Sequence, residues 1–119
     1  MYFTSHKSIT TTDETTVLTI PKGFSINIVY VYVINHGGST NTVDLWWQNG
    51  AGVDQMYLLD GTSVGAGSRD ILGGQSSAPI FVLHEGEVIK IATSAAGNVE
   101  VAITFHLVNR FPYINALNN

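Results

Sequence analysis

The sequence predicts an all-β protein: a single antiparallel β-sandwich, jelly-roll-like, of about eight strands, with N- and C-terminal arms. Three observations predict it. Apolar residues recur with a period of two, most clearly where Ile89 and Ile91 alternate with Lys90 and Ala92. The same period continues where Val99, Val101, Ile103, Phe105 and Leu107 alternate with Glu100, Ala102, Thr104 and His106. Short turns rich in Gly, Asn and Ser separate such stretches, and Gly97-Asn98 can take positive φ. Finally, no window of a dozen residues carries a helical i, i+3, i+4, i+7 pattern free of Gly or β-branched interruption.

The chain, of 119 residues, is most simply one domain. Residues 1–14 are polar and Thr-rich, with weak alternation at Tyr2, Thr4 and His6, and read as an arm or an edge strand. Residues 15–109 form the sandwich. Within it, residues 15–20 make a short strand stopped by Pro21-Lys22-Gly23, since proline lacks the donor that would continue a ladder. Residues 24–35 make the longest strand. Phe24, Ile26, Ile28, Tyr30, Tyr32 and Ile34 share one face on strict alternation, which places the tyrosines in the core. The other face becomes apolar midway, so the strand is central or meets a neighbouring subunit.

The turn at residues 36–41 leads to a strand over 42–48. There Val43, Leu45 and Trp47 face the core, and Trp46 stands on the opposite face with Asp44 and Gln48. After the turn at Asn49-Gly50-Ala51-Gly52 comes a strand over 53–59, closed by Asp60-Gly61. Residues 62–69 read as loop, 70–72 as a short strand, 73–78 as loop and 79–83 as a strand. His84-Glu85-Gly86-Glu87 turns the chain into the final hairpin. Residues 110–119 form the C-terminal arm, and its apolar residues Phe111, Tyr113, Ile114 and Leu117 imply packing on this domain or on a neighbour.

Composition narrows the function. Charged residues are 12% of the chain, about half the usual share, which leaves a surface of Ser, Thr, Asn and Gly or one covered by partners. Net charge is −4 with no Lys/Arg cluster, which argues against a nucleic-acid partner. No apolar run reaches the roughly 20 residues of a membrane-spanning helix, so no membrane partner is expected. There is no cysteine. His6, His36, His84 and His106 lack the spacing of a metal site, so no metal and no cofactor are expected. The nine carboxylates single out no acid–base pair, and Gly65-Ala66-Gly67 lacks the strand, helix and further glycines of a phosphate loop. No catalytic residue is assigned. The candidate partner-binding residues are Trp46, as an outward large aromatic, and Arg110, Phe111, Tyr113, Ile114 and Leu117 of the tail.

Residues 80–91, with Leu83-His84-Glu85-Gly86-Glu87 at their centre, run on to Thr93-Ser94-Ala95-Ala96-Gly97-Asn98 and a final alternating strand. This pattern resembles the small β-sandwich virion proteins of tailed bacteriophages. Ile20-Pro21-Lys22-Gly23 before a long strand ending at Ile34-Asn35 is similar to their first half. The likeness spans roughly residues 17–108 and departs from the family at both arms. It implies a non-enzymatic structural protein located in the virion, most simply a capsid decoration or cement subunit. It further implies contacts with copies of itself, a trimer being favoured, and with other virion proteins such as the major capsid protein. A neck or tail component is the alternative. A carbohydrate-binding or cupin-like module stands behind both.

Overall fold

The computed structural model describes residues 2–73 and 81–109. The described residues hold nine strands: β1 (Tyr2–Ile9), β2 (Thr15–Thr19), β3 (Phe24–Asn35), β4 (Asn41–Gln48), β5 (Asp54–Val64), β6 (Arg69–Gly73), β7 (Phe81–His84), β8 (Val88–Thr93) and β9 (Val99–Asn109). They form two antiparallel sheets. One has the order β1-β9-β3-β6, with β7 also on β3; the other has the order β2-β8-β4-β5. Successive strands alternate between the sheets except at β4–β5, which pair within one sheet, and at β6–β7, which share the edge of β3; this is the connectivity of a jelly roll. β7 and β6 lie on successive halves of one edge of β3, beside Ser25–Ile28 and Tyr30–Ile34 respectively. Together they fill the place of a single strand.

The two inward faces meet in one apolar core. Ile26, Ile28, Val31, Val33, Leu83, Val99, Val101, Ile103 and Phe105 come from the five-stranded sheet, and Val17, Val43, Leu45, Leu59, Ile89 and Ile91 from the other. β9 and β8 show the alternation read from the sequence, but they do not form the hairpin it suggests: β8 pairs with β2 and β4 in one sheet, and β9 with β1 and β3 in the other. β1 is an eight-residue edge strand whose register with β9 runs unbroken from Tyr2↔His106 to Ile9↔Val99.

Three expectations are corrected. In β3, Ile28 lies opposite Phe105 but Tyr30 lies opposite Thr104, so Val29 is an extra residue. This β-bulge reverses the phase of the strand. Ile26 and Ile28 point inward before it, Val31 and Val33 after it, and Tyr30 and Tyr32 stand on the outer face rather than in the core. The apolar stretch on both sides of β3 is therefore one core face that changes side. Secondly, Asp60-Gly61 does not close β5. Gly61 has φ +60°, and its N–H donates to the Asp44 carboxylate at 2.6 Å. The extra residue there is absorbed as a bulge, and pairing continues to Val64. Thirdly, the stretch over residues 70–72 is a five-residue strand paired with β3. The strand expected at 79–83 is seen from Phe81; Pro79 and Ile80 lie outside the described residues.

Two buried asparagines tie the loops at one end. Asn35 donates to the Ser39 and Val64 carbonyls at 2.8 and 2.9 Å and accepts from the Gly37 N–H at 2.8 Å. Asn41 donates to the Ala95 carbonyl at 2.8 Å and accepts from the Ala95 N–H and the Ser94 hydroxyl, both at 3.2 Å. At the other end Glu85 accepts from the Gly23 N–H at 2.7 Å. Carboxylates read from sequence only as turn residues are thus the pins of those turns.

Candidate interaction surfaces

The outer face of the five-stranded sheet follows from the Val29 bulge. Alternation after it places Tyr30, Tyr32 and Ile34 beside Thr104, Ala102 and Glu100 of β9. The Tyr30 and Tyr32 rings stack at 6.2 Å, and the Arg69 guanidinium lies 5.9 Å from the centre of the Tyr32 ring. Ile71, opposite Tyr32, is 41% exposed, and Val82, opposite Asn27, is 40% exposed. Along β1, Tyr2 sits 5.7 Å from the His106 ring, and the Thr4 and Thr104 hydroxyls are 3.0 Å apart. The result is a broad face, aromatic and apolar at its middle, with few formal charges. A sheet face of this kind suits contact with another protein.

Trp46 lies on the outer face of the four-stranded sheet. It does point outward, between Lys90 of β8 and Tyr57 of β5 in register, as the alternation indicates. Yet it is only 3% exposed. The Tyr57 ring lies 5.6 Å from it, and the Lys90 stem flanks it on the other side. Tyr57, at 46%, is the exposed aromatic of this face. Its phenol is pushed above the usual range by partial desolvation and then by the negative field of Asp54, Asp44, Asp60 and Glu14. Sequence alternation fixes which way a side chain points; what covers it depends on strands far away in the chain. Trp47 packs against the core, stacks on Phe81 at 6.3 Å and donates its indole N–H to Glu87 at 2.8 Å.

The fold assembles one polar cluster that spacing concealed. The Nε2 atoms of His6 and His36 each lie 3.3 Å from the same oxygen of Glu100. Two hydrogen bonds from the imidazoles hold the Glu100 carboxyl below its usual 4.5. A depressed carboxylate favours the folded state above its unfolded pKa, and that contribution is lost as pH falls through the folded value. Glu100→Gln is therefore expected to flatten the loss of thermal stability on acidification below about pH 4.5, measured as melting temperature against pH. The cluster is exposed, so the effect is small. Among the described residues no group of three or more His, Asp or Glu side chains is arranged to hold a metal ion.

An apolar cleft of about 420 Å³ opens between the edges of the two sheets. Phe3, Leu18, Ile20, Ile26, Phe105 and Leu107 line it, with Ser5, Thr19 and Pro21 at its rim. Phe3 stacks on Phe105 at 6.1 Å and remains 43% exposed. The five tail candidates, Arg110, Phe111, Tyr113, Ile114 and Leu117, lie outside the described residues.

No family model and no curated protein matches the chain. Solved structures do share its fold. A chain from the acid-stable capsid of Helicobacter pylori bacteriophage KHP30 is similar with a TM-score of 0.58 at 10% identity, over 90% of each chain. A chain of the disulfide-linked pili known as Bacillus endospore appendages is similar with a TM-score of 0.55 at 13% identity, covering 92% of this chain and 87% of that one. PirA is similar with a TM-score of 0.51 at 16% identity, covering 87% of this chain and 93% of that one. The fold expected from the sequence, an all-β jelly-roll-like sandwich, is the fold of the protein.

Proposed function

We propose that the chain is a non-enzymatic structural protein of a bacteriophage virion, and within the particle a capsid decoration or cement subunit. The observation that carries this reading is the outer face of the five-stranded sheet. A jelly roll of 119 residues with only 12% charged residues leaves Tyr30, Tyr32, Ile71 and Val82 on a face that nothing among the described residues covers. The KHP30 capsid chain matches over 90% of both lengths, so the likeness is to the whole sandwich rather than to one hairpin. Such a subunit acts by adding interface area between its neighbours, with copies of itself in a trimer and the major capsid protein as partners. Within residues 1–14, β1 is an edge strand of the sandwich domain at 15–109, and residues 110–119 serve as its C-terminal arm. Arg110, Phe111, Tyr113, Ile114 and Leu117 belong to its binding surface.

Copy number per particle, by quantitative mass spectrometry of purified virions, tests the role. On the order of hundreds of copies is the expected result. A few copies, in the symmetry of a ring, would move the chain to the neck or tail. Absence from the particle would reject the structural role and favour a carbohydrate-binding module, for which the stacked Tyr30–Tyr32 pair would be the platform. A second prediction concerns the face itself. Ile71→Asp replaces a strand side chain that is 41% exposed, so folding stability should fall by about 1–2 kcal/mol, which leaves the sandwich folded. Incorporation into particles should fall severalfold. Unchanged incorporation would remove this face from the interface.

A further inference from the structure

The strands that end the two sheets differ as templates for another strand. β6 and β7 are five and four residues long and share one edge. β2 has five residues and a register break. β5 is long, but its pairing with β4 shifts at three places. Short strands and bulges are the usual ways of blunting an edge. β1 is not blunted in either way. It pairs eight residues in unbroken register, all with β9, and among the described residues no strand lies on its other edge. Beside it opens the apolar cleft, whose wall includes Phe3 of β1 and Leu18 of β2.

The sequence after β9 has the matching pattern. Phe111, Tyr113 and Leu117 fall on alternate positions, the arrangement a strand needs to present them on one side. Pro112, between the first two, is tolerated on an edge strand, where its missing N–H faces away from the partner. We propose that the segment 110–119 of one copy adds as a strand along the free edge of β1 of a second copy, placing Phe111 and Tyr113 in the cleft. The proposal rests on reading the chain as an assembling subunit, and it names the surface that receives the tail.

Chain geometry selects a second copy as the donor. β9 already occupies the inner side of β1 and runs antiparallel to it. For its own continuation to reach the free edge of β1, the chain would have to pass the end of β1 and return parallel to it. Passing over the end of β1 means spanning two strand spacings, about 10 Å. Phe111 stands two residues beyond Asn109, a reach of about 7 Å at full extension, so it could not be paired along the far edge of β1 in its own copy. A donor from another copy meets no such limit. The mode is strand addition, with main-chain hydrogen bonds giving affinity and alternate side chains giving specificity.

The chain has no cysteine, which makes the test direct. Two full-length variants, Thr19→Cys at the cleft and Asn115→Cys in the tail, on the same side of the strand as Phe111 and Tyr113, are mixed under mild oxidation. The expected product is a disulfide between the two variants, at least about tenfold more abundant than a link from Asn115→Cys to Ile71→Cys on the outer sheet face. A synthetic peptide of residues 110–119 should suppress the 19–115 link, and the same peptide with Phe111→Asp and Tyr113→Asp should not. Preferential linking to Ile71→Cys would overturn the proposal, as would an intrachain link in a dilute Thr19→Cys/Asn115→Cys double variant. Particle copy number keeps this result separate from the proposed function. A chain abundant in particles that forms no 19–115 link loses only the strand addition. A chain absent from particles loses the structural role, whatever link it forms.

Discussion

Ile103→Ala is expected to lower folding stability by about 4 kcal/mol and the melting temperature by more than 10 °C. Ile103 is fully buried at the centre of β9. It lies opposite Ser5 of β1 and Val31 of β3, and so in the strand that joins the N-terminal edge to the middle of the sheet. Truncation removes three carbons from a site walled by strand backbone on two sides. A sheet of that kind relaxes poorly, so the cavity term adds to the lost transfer energy. Ile103→Val at the same site should cost only about 1 kcal/mol. Urea unfolding of both variants checks this, with the slope unchanged if the native state is intact. A loss under 2 kcal/mol for the alanine variant would mean that this part of the core collapses around the gap.

Asn35→Leu should cost about 3 kcal/mol, although leucine is close in size and more apolar. Asn35 is 1% exposed, and its side chain makes three hydrogen bonds to backbone groups in two segments of the chain. The Val64 carbonyl, at the end of β5, is the costliest to orphan because that bond is buried. Water can reach the Gly37 N–H and the Ser39 carbonyl more readily. The main chain of Asn35 also bridges to the Ser68 carbonyl and the Gly67 N–H. The substitution should therefore loosen residues 36–40 and 65–68 together. Hydrogen exchange of Gly37 and Gly67 would show whether both loops open as one unit. If only the 36–40 turn exchanges faster, the two loops are held independently.

Much of the fold is legible in the sequence because it rests on local alternation. β8 and β9 need nothing beyond period two and the Ser94–Asn98 turn chemistry to be found as strands; their pairing is not local, and the connection that reads as a hairpin turn crosses from one sheet to the other. The breaks at Pro21-Lys22-Gly23 and at Asn49-Gly50 announce themselves by residue type. The bulge at Val29 does not, because valine is equally at home as an inward, an outward or an extra residue. The continuation of β5 past Gly61 is hidden for a related reason. Asp-Gly reads as a turn unless Asp44, sixteen residues earlier than Asp60, is known to accept from it. Contact information is still less local. Tyr57 and Lys90 cover Trp46 from either side along two different strands. His6 meets Glu100 across 94 positions. The sequence signal that could have found the outer face was present, namely apolar residues on both sides of one strand, but alternation alone assigns its tyrosines to the wrong side.

That wrong assignment points to how little separates the core of this protein from its surface. Tyr30, Val31, Tyr32, Val33 and Ile34 are five consecutive residues, and the single residue before them decides which are seen from outside. Deleting Val29 would keep the composition of the strand nearly unchanged and exchange its two faces. The valines would be shown to neighbours, and two phenol rings would be forced between the sheets. The turns at either end of the strand would be left alone, so the whole cost of losing one codon would fall on the packing between the two sheets.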